Sequence, residues 1–411
     1  GVVDGFFVSN FVGKTAFTAV NFIIPFLMIL GAVGFMFGTG GGALIAKTMG
    51  EGDDRRANEL FSLIVYSSIL CGVVLSGVGF LLLRPLAVAL GAEGTMLQDC
   101  ITYGTVLLFA IPAYVLQYEF QCLFVTAEKP NLGLAVTVAS GVSNMVLDAL
   151  FVAVLPFGLP GAAAATAISQ CVGGLLPLLY FIRNKDGRLH LGRTHWDARA
   201  LLKTCTNGSS ELMSNISMSL VSMLYNAQLL YYAGEDGIAA YGVLMYVSMI
   251  FQAMFIGYSV GTAPVVSYHY GAGARGELHN LLRKSAVIIA GFAVAMFVGA
   301  RLLSGPLSRL FVGYDAALLA MTRHAFSIFS FGFLFSGFAI YGSSFFTALN
   351  DGLVSAAISF LRTLVFQVLC VLIFPLFWQV DGIWVSLMAA EAMAVCVTVV
   401  FLRVKQRVYQ Y

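Results

Sequence analysis

Charge is what this chain has least of. Only 10% of its 411 residues are Asp, Glu, Lys or Arg, against roughly 25% in an ordinary soluble domain. That scarcity excludes a soluble globule. With 59% apolar residues and a mean hydropathy of +0.90, the chain reads as one solvated by lipid. The little charge present is nearly balanced, at a net +2, and offers no basic surface for nucleic acid. The seven cysteines contain no CxxC pair, which leaves neither a disulfide framework nor a thiolate metal site; they read as small core residues. No nucleophile–base pair and no metal-ligand spacing stands out, so an enzyme and a bound cofactor find no support. Asn207-Gly208-Ser209 has the form of a glycosylation acceptor, but it opens an apolar helix and reads as a chance match. The first residues carry no basic leader region and make about half a span, so an incomplete first helix is expected rather than a signal peptide.

What remains is apolar helix. About 20 apolar residues cross the hydrocarbon core. Spacing between turn signals predicts a partial span ending near Phe11, then spans near 17–47, 56–83, 97–126, 131–155 and 161–182. A polar stretch follows, and further spans are predicted near 203–233, 238–269, 278–304, 318–348, 352–376 and 382–402. Several are long enough to tilt or bend, and Pro25, Pro112, Pro177 and Pro264 lie inside them. The expectation is an all-α membrane protein with twelve transmembrane helices, the first incomplete. It divides into an N-lobe (1–183), a cytoplasmic linker (184–202) and a C-lobe (203–411).

The halves repeat. Adding 221 carries Gly13 to Gly234, Ala19 to Ala240, Gly40 to Gly261, Gly50 to Gly271 and Gly52 to Gly273. It also carries Pro85 to Pro306, Ala127 to Ala348 and Gly161 to Gly382, which marks a duplication. Six helices per half make the repeat parallel, about an axis along the membrane normal. Sixteen of the 22 basic residues fall in the linker, the C-terminus and the loops after even-numbered helices, among them Lys47, Arg55, Arg56, Arg188 and Arg403. Five fall on the other face: Lys14, Arg84, Arg301, Arg309 and Arg323. The positive-inside rule then puts the linker and both termini in the cytoplasm.

An ionisable group at bilayer depth costs at least about 2.5–3.5 kcal/mol, so each needs a partner or a purpose. The stretch SGVSNMVLDALFVAVLP places Asn144 and Asp148 one helical turn apart on one face. Thr166 follows in the next helix, inside the small-residue run GAAAAT, and Asp4 sits in the first helix. Two carboxylates, an amide oxygen and a hydroxyl can form an oxygen cage for Na+ or a carboxylate pair sharing a proton. Adding 221 turns Asp4, Asn144 and Asp148 into Tyr225, Val365 and Leu369, so the fold is maintained without the acids. A hydrogen-bond network that only fixes helix packing is the competing reading.

Glu119, in YVLQYEFQCLF beside Tyr118, reads either as a cavity acid for cationic substrates or as an acid satisfied by neighbouring Tyr or Gln. Glu211 reads as a second protonatable or cavity acid, or as an interfacial cap. Arg362 and Glu391 are expected to pair with each other or with Glu211, and His324 to be interfacial and solvated. Gly34, Gly38 and Gly42 place a bare backbone stripe on one helix for close packing. GEGDDRR and its repeat partner GAGARG read as helix-breaking turns.

With these residues in view, the chain resembles the multidrug and toxic-compound extrusion (MATE) family, in its MepA-like bacterial branch. The resemblance runs over nearly the whole chain: two six-helix halves, the turns MGEGD and YGAG, and the opening pattern VVDGFFVSNFVGKTAFTAVNFIIP. It implies that Asp4, Asn144, Asp148 and Thr166 fill the family's N-lobe cation site. Glu211 matches one member of the C-lobe site that some relatives use. The helix FGFLFSGFAIYGSSFFTAL has no matching Asp, which puts that second site in doubt. The implied activity is export of amphipathic, mostly cationic compounds across the cytoplasmic membrane, against an inward H+ or Na+ gradient. Its partners would be those compounds and membrane lipid, with a monomer expected. Two other readings compete. A flippase for lipid-linked precursors should be rich in intramembrane Arg, and Arg362 stands nearly alone. An uncoupled facilitator has little use for carboxylates confined to one half.

Overall fold

The structure, a computed structural model, describes residues 7–89, 92–185, 187–312 and 315–411. Among them there is no strand; the helices are α1 (Val8–Val12, a π-helical turn), α2 (Lys14–Gly50), α3 (Asp54–Ala89), α4 (Gly94–Thr126), α5 (Pro130–Val154) and α6 (Gly158–Arg183). After the linker come α7 (Ala198–Gly271), α8 (Arg275–Val312), α9 (Ala316–Ala348), α10 (Gly352–Ile373) and α11 (Pro375–Tyr409). Ten helical stretches among the described residues are long and apolar enough to span a bilayer. The arm of α7 before Gly234, predicted as the span 203–233, is helical, but it is not among those ten. The predicted spans match these elements closely, because length and hydropathy alone set them.

Two compact units result, Gly1–Gly208 and Ser209–Tyr411. Each turns large apolar side chains outward, as lipid allows: Leu81 and Leu353 are both 78% exposed. In the first unit, Phe61, Phe120, Phe124 and Phe181 form the core, with Phe120 and Phe181 stacked at 5.6 Å. In the second, Phe326, Phe329, Phe333, Phe345 and Trp384 take that place.

The glycine stripe does what its spacing predicts. A Cβ on Gly34 would lie 2.2 Å from the Val115 carbonyl oxygen, and one on Gly38 would lie 2.9 Å from that of Glu119. Those glycines let α2 lie directly on the backbone of α4. The linker belongs to the first unit. Asn58, Ser62 and Tyr66, four residues apart on α3, hold its backbone: Asn58 Nδ2 donates to the Arg188 carbonyl (3.0 Å), and His190 N–H donates to Asn58 Oδ1 (2.8 Å). Gly192 N–H donates to Ser62 Oγ (2.9 Å), and Tyr66 donates to the Gly192 carbonyl (3.2 Å). Leu189 and Leu191 enter the aromatic core beneath.

The duplication is visible in the backbone. Gly13 and Gly234 both break a helix at positive φ (134° and 67°), and Gly52 and Gly273 are a second such pair. All are 221 apart. The next landmarks, Glu128 and Asn350, both at φ 60°, are 222 apart. The repeat register therefore slides as the chain enters α5 and α10. Each of these helices also contains a π-helical turn, Ala149–Val154 in α5 and Leu361–Val365 in α10, and such a turn adds a residue to the helical count.

Candidate cation-coupling site

Helices α5 and α6 bring the predicted polar residues together. Asn144 and Asp148 occupy successive turns of α5, immediately before its π-helical turn. Asn144 Nδ2 donates to Thr166 Oγ1 on α6 at 3.3 Å. Asp148 is fully buried. Ala162, Ala163 and Ala165, all at 0% exposure, form the small-residue surface that lets the helices approach this closely. One turn deeper, Ser140 Oγ donates to the Ser169 carbonyl (2.7 Å), and Gln117 on α4 donates to Ser140 Oγ (3.3 Å). A polar seam thus runs from Asp148 down α5. Asp4, the fourth predicted member, lies outside the described residues. No set of three His, Cys, Asp or Glu converges among the described residues. The donors here are carboxylate, amide and hydroxyl oxygens, the set that suits a proton or a hard monovalent cation.

The second unit shows what takes this place when the acids are absent. The 221 offset pairs Asn144 with Val365, but the slide to 222 and the π-helical turn in α10 each move the facing residue by one, and the buried Gln367 takes its place. Tyr225, the offset partner of Asp4, donates to Gln367 Oε1 at 2.7 Å and stacks on Tyr241 at 5.3 Å. Whichever register is used near Asp148, the residues available are Leu369, Cys370 and Val371, none of them acidic. One half carries a buried carboxylate with amide and hydroxyl; the other carries a closed, neutral Tyr–Gln bond.

The predicted cavity residues fall in two places. Glu119 is fully buried; its Oε2 meets Ser68 Oγ on α3, while Oε1 has no hydrogen-bond partner among the described residues. Tyr118 is half-buried against Phe35 (4.2 Å), and its hydroxyl shares a bond with that of Tyr114 (2.8 Å). Glu211 is half-buried in the first arm of α7. Arg362 donates from Nε to Glu391 Oε2 at 2.9 Å, which joins α10 to α11 deep in the second unit. His324 is exposed and hydrogen-bonded to Asp381 at 2.9 Å. Sequence reasoning missed Ser68 as the partner of Glu119, because a lone Ser in an apolar helix carries no pattern.

The MatE family model matches residues 1–150 and 212–373. The chain belongs to the MatE family. Among curated proteins it resembles the multidrug export protein MepA of Staphylococcus saprophyticus, 24% identical over 344 residues, 82% of this chain and 76% of that protein. It also resembles MepA of Staphylococcus aureus strain MRSA252, 22% identical over 96% of this chain and 86% of that one. Two solved structures share the fold along this chain's whole length at 22% identity. One is a crystal structure of a MATE in complex with MaL6 (TM-score 0.94, 92% of that chain). The other is an outward-facing multidrug resistance MATE family transporter of the MOP superfamily (TM-score 0.93, 92% of that chain). As a MatE protein the chain is a multi-pass, all-helical membrane protein, as its composition predicts.

Proposed function

We propose that this MatE protein is a secondary active multidrug exporter, driving amphipathic, mostly cationic organic compounds out of the cell by antiport against H+ or Na+. The observation that supports this most is the buried Asp148 beside the Asn144–Thr166 bond, in one half only of a duplicated fold. Resemblance to two MepA multidrug export proteins supports the substrate class. Asp4 completes the site in this reading, and the coupling ion is cargo rather than a resident cofactor. A buried carboxylate without its cation favours an arrangement that solvates it, and one holding the cation favours a closed one. The ion biases the two states only by its difference in affinity for them. Within the first unit Tyr118 offers an aromatic face to an organic cation, and within the second Glu211 offers an acidic group. The protein lies in the cytoplasmic membrane with the linker on the cytoplasmic side, and acts as a monomer. A flippase for pyrophosphate-bearing lipids fits less well, because Arg362 is already paired with Glu391.

Proteoliposomes with a proton gradient and a sodium gradient imposed separately test the reading, with an organic cation compared against a neutral analogue. One gradient should drive uptake of the cation, and Asp148→Asn should abolish that coupling while the protein still folds and inserts. Uptake indifferent to both gradients, or coupled uptake in Asp148→Asn at the wild-type rate, sinks the proposal.

A further inference from the structure

Where α6 runs into the linker, the first unit has a recess that the proposed export cycle does not use. It measures about 460 Å³ and is lined by Leu176, Leu179, Tyr180, Arg183 and Asn184. These residues follow the three- and four-residue spacing of one helix face. Along that face the chemistry changes from apolar to cationic. Leu176 and Leu179 are 48% and 46% exposed, in a helix apolar enough to cross a bilayer. Arg183, about 10 Å further along the axis, is exposed as well. Asn184 Nδ2 donates to the Tyr180 hydroxyl oxygen at 2.8 Å, a bond that takes a lone pair of the tyrosine and not its hydrogen.

Positive charge gathers at this end of the helix. Lys129 N–H donates to the Phe124 carbonyl (2.8 Å), and the Phe124 ring packs on Tyr180 at 6.2 Å and on Phe181 at 5.2 Å. Lys129 is thereby held beside the end of α6. Lys129, Arg183 and Lys185 are all exposed, and none is ion-paired among the described residues. Glu128, next to Lys129, is already bonded to Arg188 at 2.7 Å. Asp186 lies outside the described residues; three cations against that one acid still leave +2.

The repeat shows that the fold does not require this arrangement. Gly158 and Gln379, both at positive φ (67° and 50°), are 221 apart and set the register of α6 against α11. Tyr180 then corresponds to Phe401, Arg183 to Val404 and Asn184 to Lys405. In the register of Glu128 and Asn350, Lys129 corresponds to Asp351. The second unit joins Lys405 to Asp351 at 3.1 Å and has apolar side chains in place of the phenol and the guanidinium. One unit closes this corner with an internal ion pair, and the other leaves it cationic and open.

We propose that the recess binds one anionic phospholipid. Its phosphate lies against Arg183 and the Tyr180 hydroxyl, with Lys129 and Lys185 around it, and an acyl chain follows Leu179 and Leu176. A guanidinium offers a phosphate two parallel N–H donors, which makes Arg183 the anchor. The apolar floor favours a lipid over a soluble anion, which would use the cationic end alone. The surplus charge favours an anionic headgroup over a zwitterionic one, whose own cation would be repelled.

The test reads lipid binding and is independent of the transport reading. Native mass spectrometry of the purified full chain is titrated with phosphatidylglycerol and with phosphatidylcholine of the same acyl chains. Wild type should hold one phosphatidylglycerol about twenty-five-fold more tightly, at about fivefold for each of the two surplus charges. Arg183→Gln should reduce that preference about fivefold. Lys129→Asp, which introduces the second unit's own residue and changes the charge by two, should abolish it. Arg283→Gln, at an exposed position on α8 in the second unit, should leave the preference unchanged. Glycerol phosphate, a headgroup without chains, should not displace the lipid at equal concentration. Circular dichroism and unfolding midpoints identify any variant that fails to fold, in which case Tyr180→Phe is read instead, with a loss of phosphatidylglycerol affinity expected. Equal affinity for the two lipids, displacement by glycerol phosphate, or a loss in Arg283→Gln as large as in Arg183→Gln overturns the proposal.

Discussion

A few residues in this protein sit where ordinary substitution is costly, for different physical reasons. Gly34 lies against the backbone of α4, with no flexible side chain to yield. Gly34→Ala should therefore destabilise the first unit by about 1–3 kcal/mol through overpacking, seen as a lowered unfolding midpoint in detergent. Arg362 and Glu391 behave differently. Removing only the arginine, as in Arg362→Met, strands a buried carboxylate and should cost about 3–5 kcal/mol. The double replacement Arg362→Met with Glu391→Leu should recover most of that loss. A double variant no more stable than the single one would show that the pair is not the source of the cost. The sequence made Asn144, Asp148 and Thr166 legible because four-residue spacing and a small-residue helix are local signals. Their counterparts were not legible by arithmetic, since a one-residue slide of the repeat register and a π-helical turn together move the facing residue from Val365 to Gln367 and leave no compositional trace.

Among the elements, the linker is the one whose conformation composition does not reveal. Its polar composition marked it only as a cytoplasmic linker, and gave no sign that Leu189 and Leu191 enter the core or that Asn58, Ser62 and Tyr66 line up to hold its backbone. Ser62→Ala leaves the Gly192 N–H without its partner and should loosen the strap by about 1–3 kcal/mol, read as faster protease cleavage between Arg188 and Thr194. The strap's end responds to pH. The N–H of Ala200 and the Arg56 guanidinium hold the Asp197 carboxyl below its ordinary value of 3.8. A carboxyl so depressed stabilises the folded arrangement fully above 3.8, and the contribution disappears as pH falls through the lower folded value. At Asp351 burial pushes the carboxyl up, but hydrogen bonds from Tyr409 and Lys405 outweigh it and leave it below 3.8 as well. Both ties should therefore persist through mild acid, and protease sensitivity of the linker should rise only in the strongly acidic range. Sensitivity that rises near neutral pH would contradict that sign.

At the scale of the molecule, two copies of one helical plan have been given unequal chemistry. The plan itself was readable: span lengths, the repeat and the breaks at glycine all follow from hydropathy and spacing. At the position of Asp148 in the first copy, the second has only Leu369, Cys370 and Val371. If the first unit alone couples transport, exchanging its polar set for the neutral set of the second, as in Asn144→Gln with Asp148→Leu, should leave a folded protein. Such a protein should bind organic cations yet follow neither a proton nor a sodium gradient in proteoliposomes. Coupled uptake surviving that exchange would place the driving site elsewhere.

Gly13 and Gly234 have one further consequence. Both occupy backbone conformations, φ 134° with ψ 170° and φ 67° with ψ −156°, that are essentially closed to any residue with a side chain. Duplication copied not only a scaffold but a vulnerability. Most single-nucleotide changes in either codon replace the glycine, and no later refinement of the surrounding helices can make a Cβ fit that backbone. A saturation scan for growth under drug selection should show two intolerant columns 221 positions apart, in a landscape where most lipid-facing positions accept almost any apolar residue.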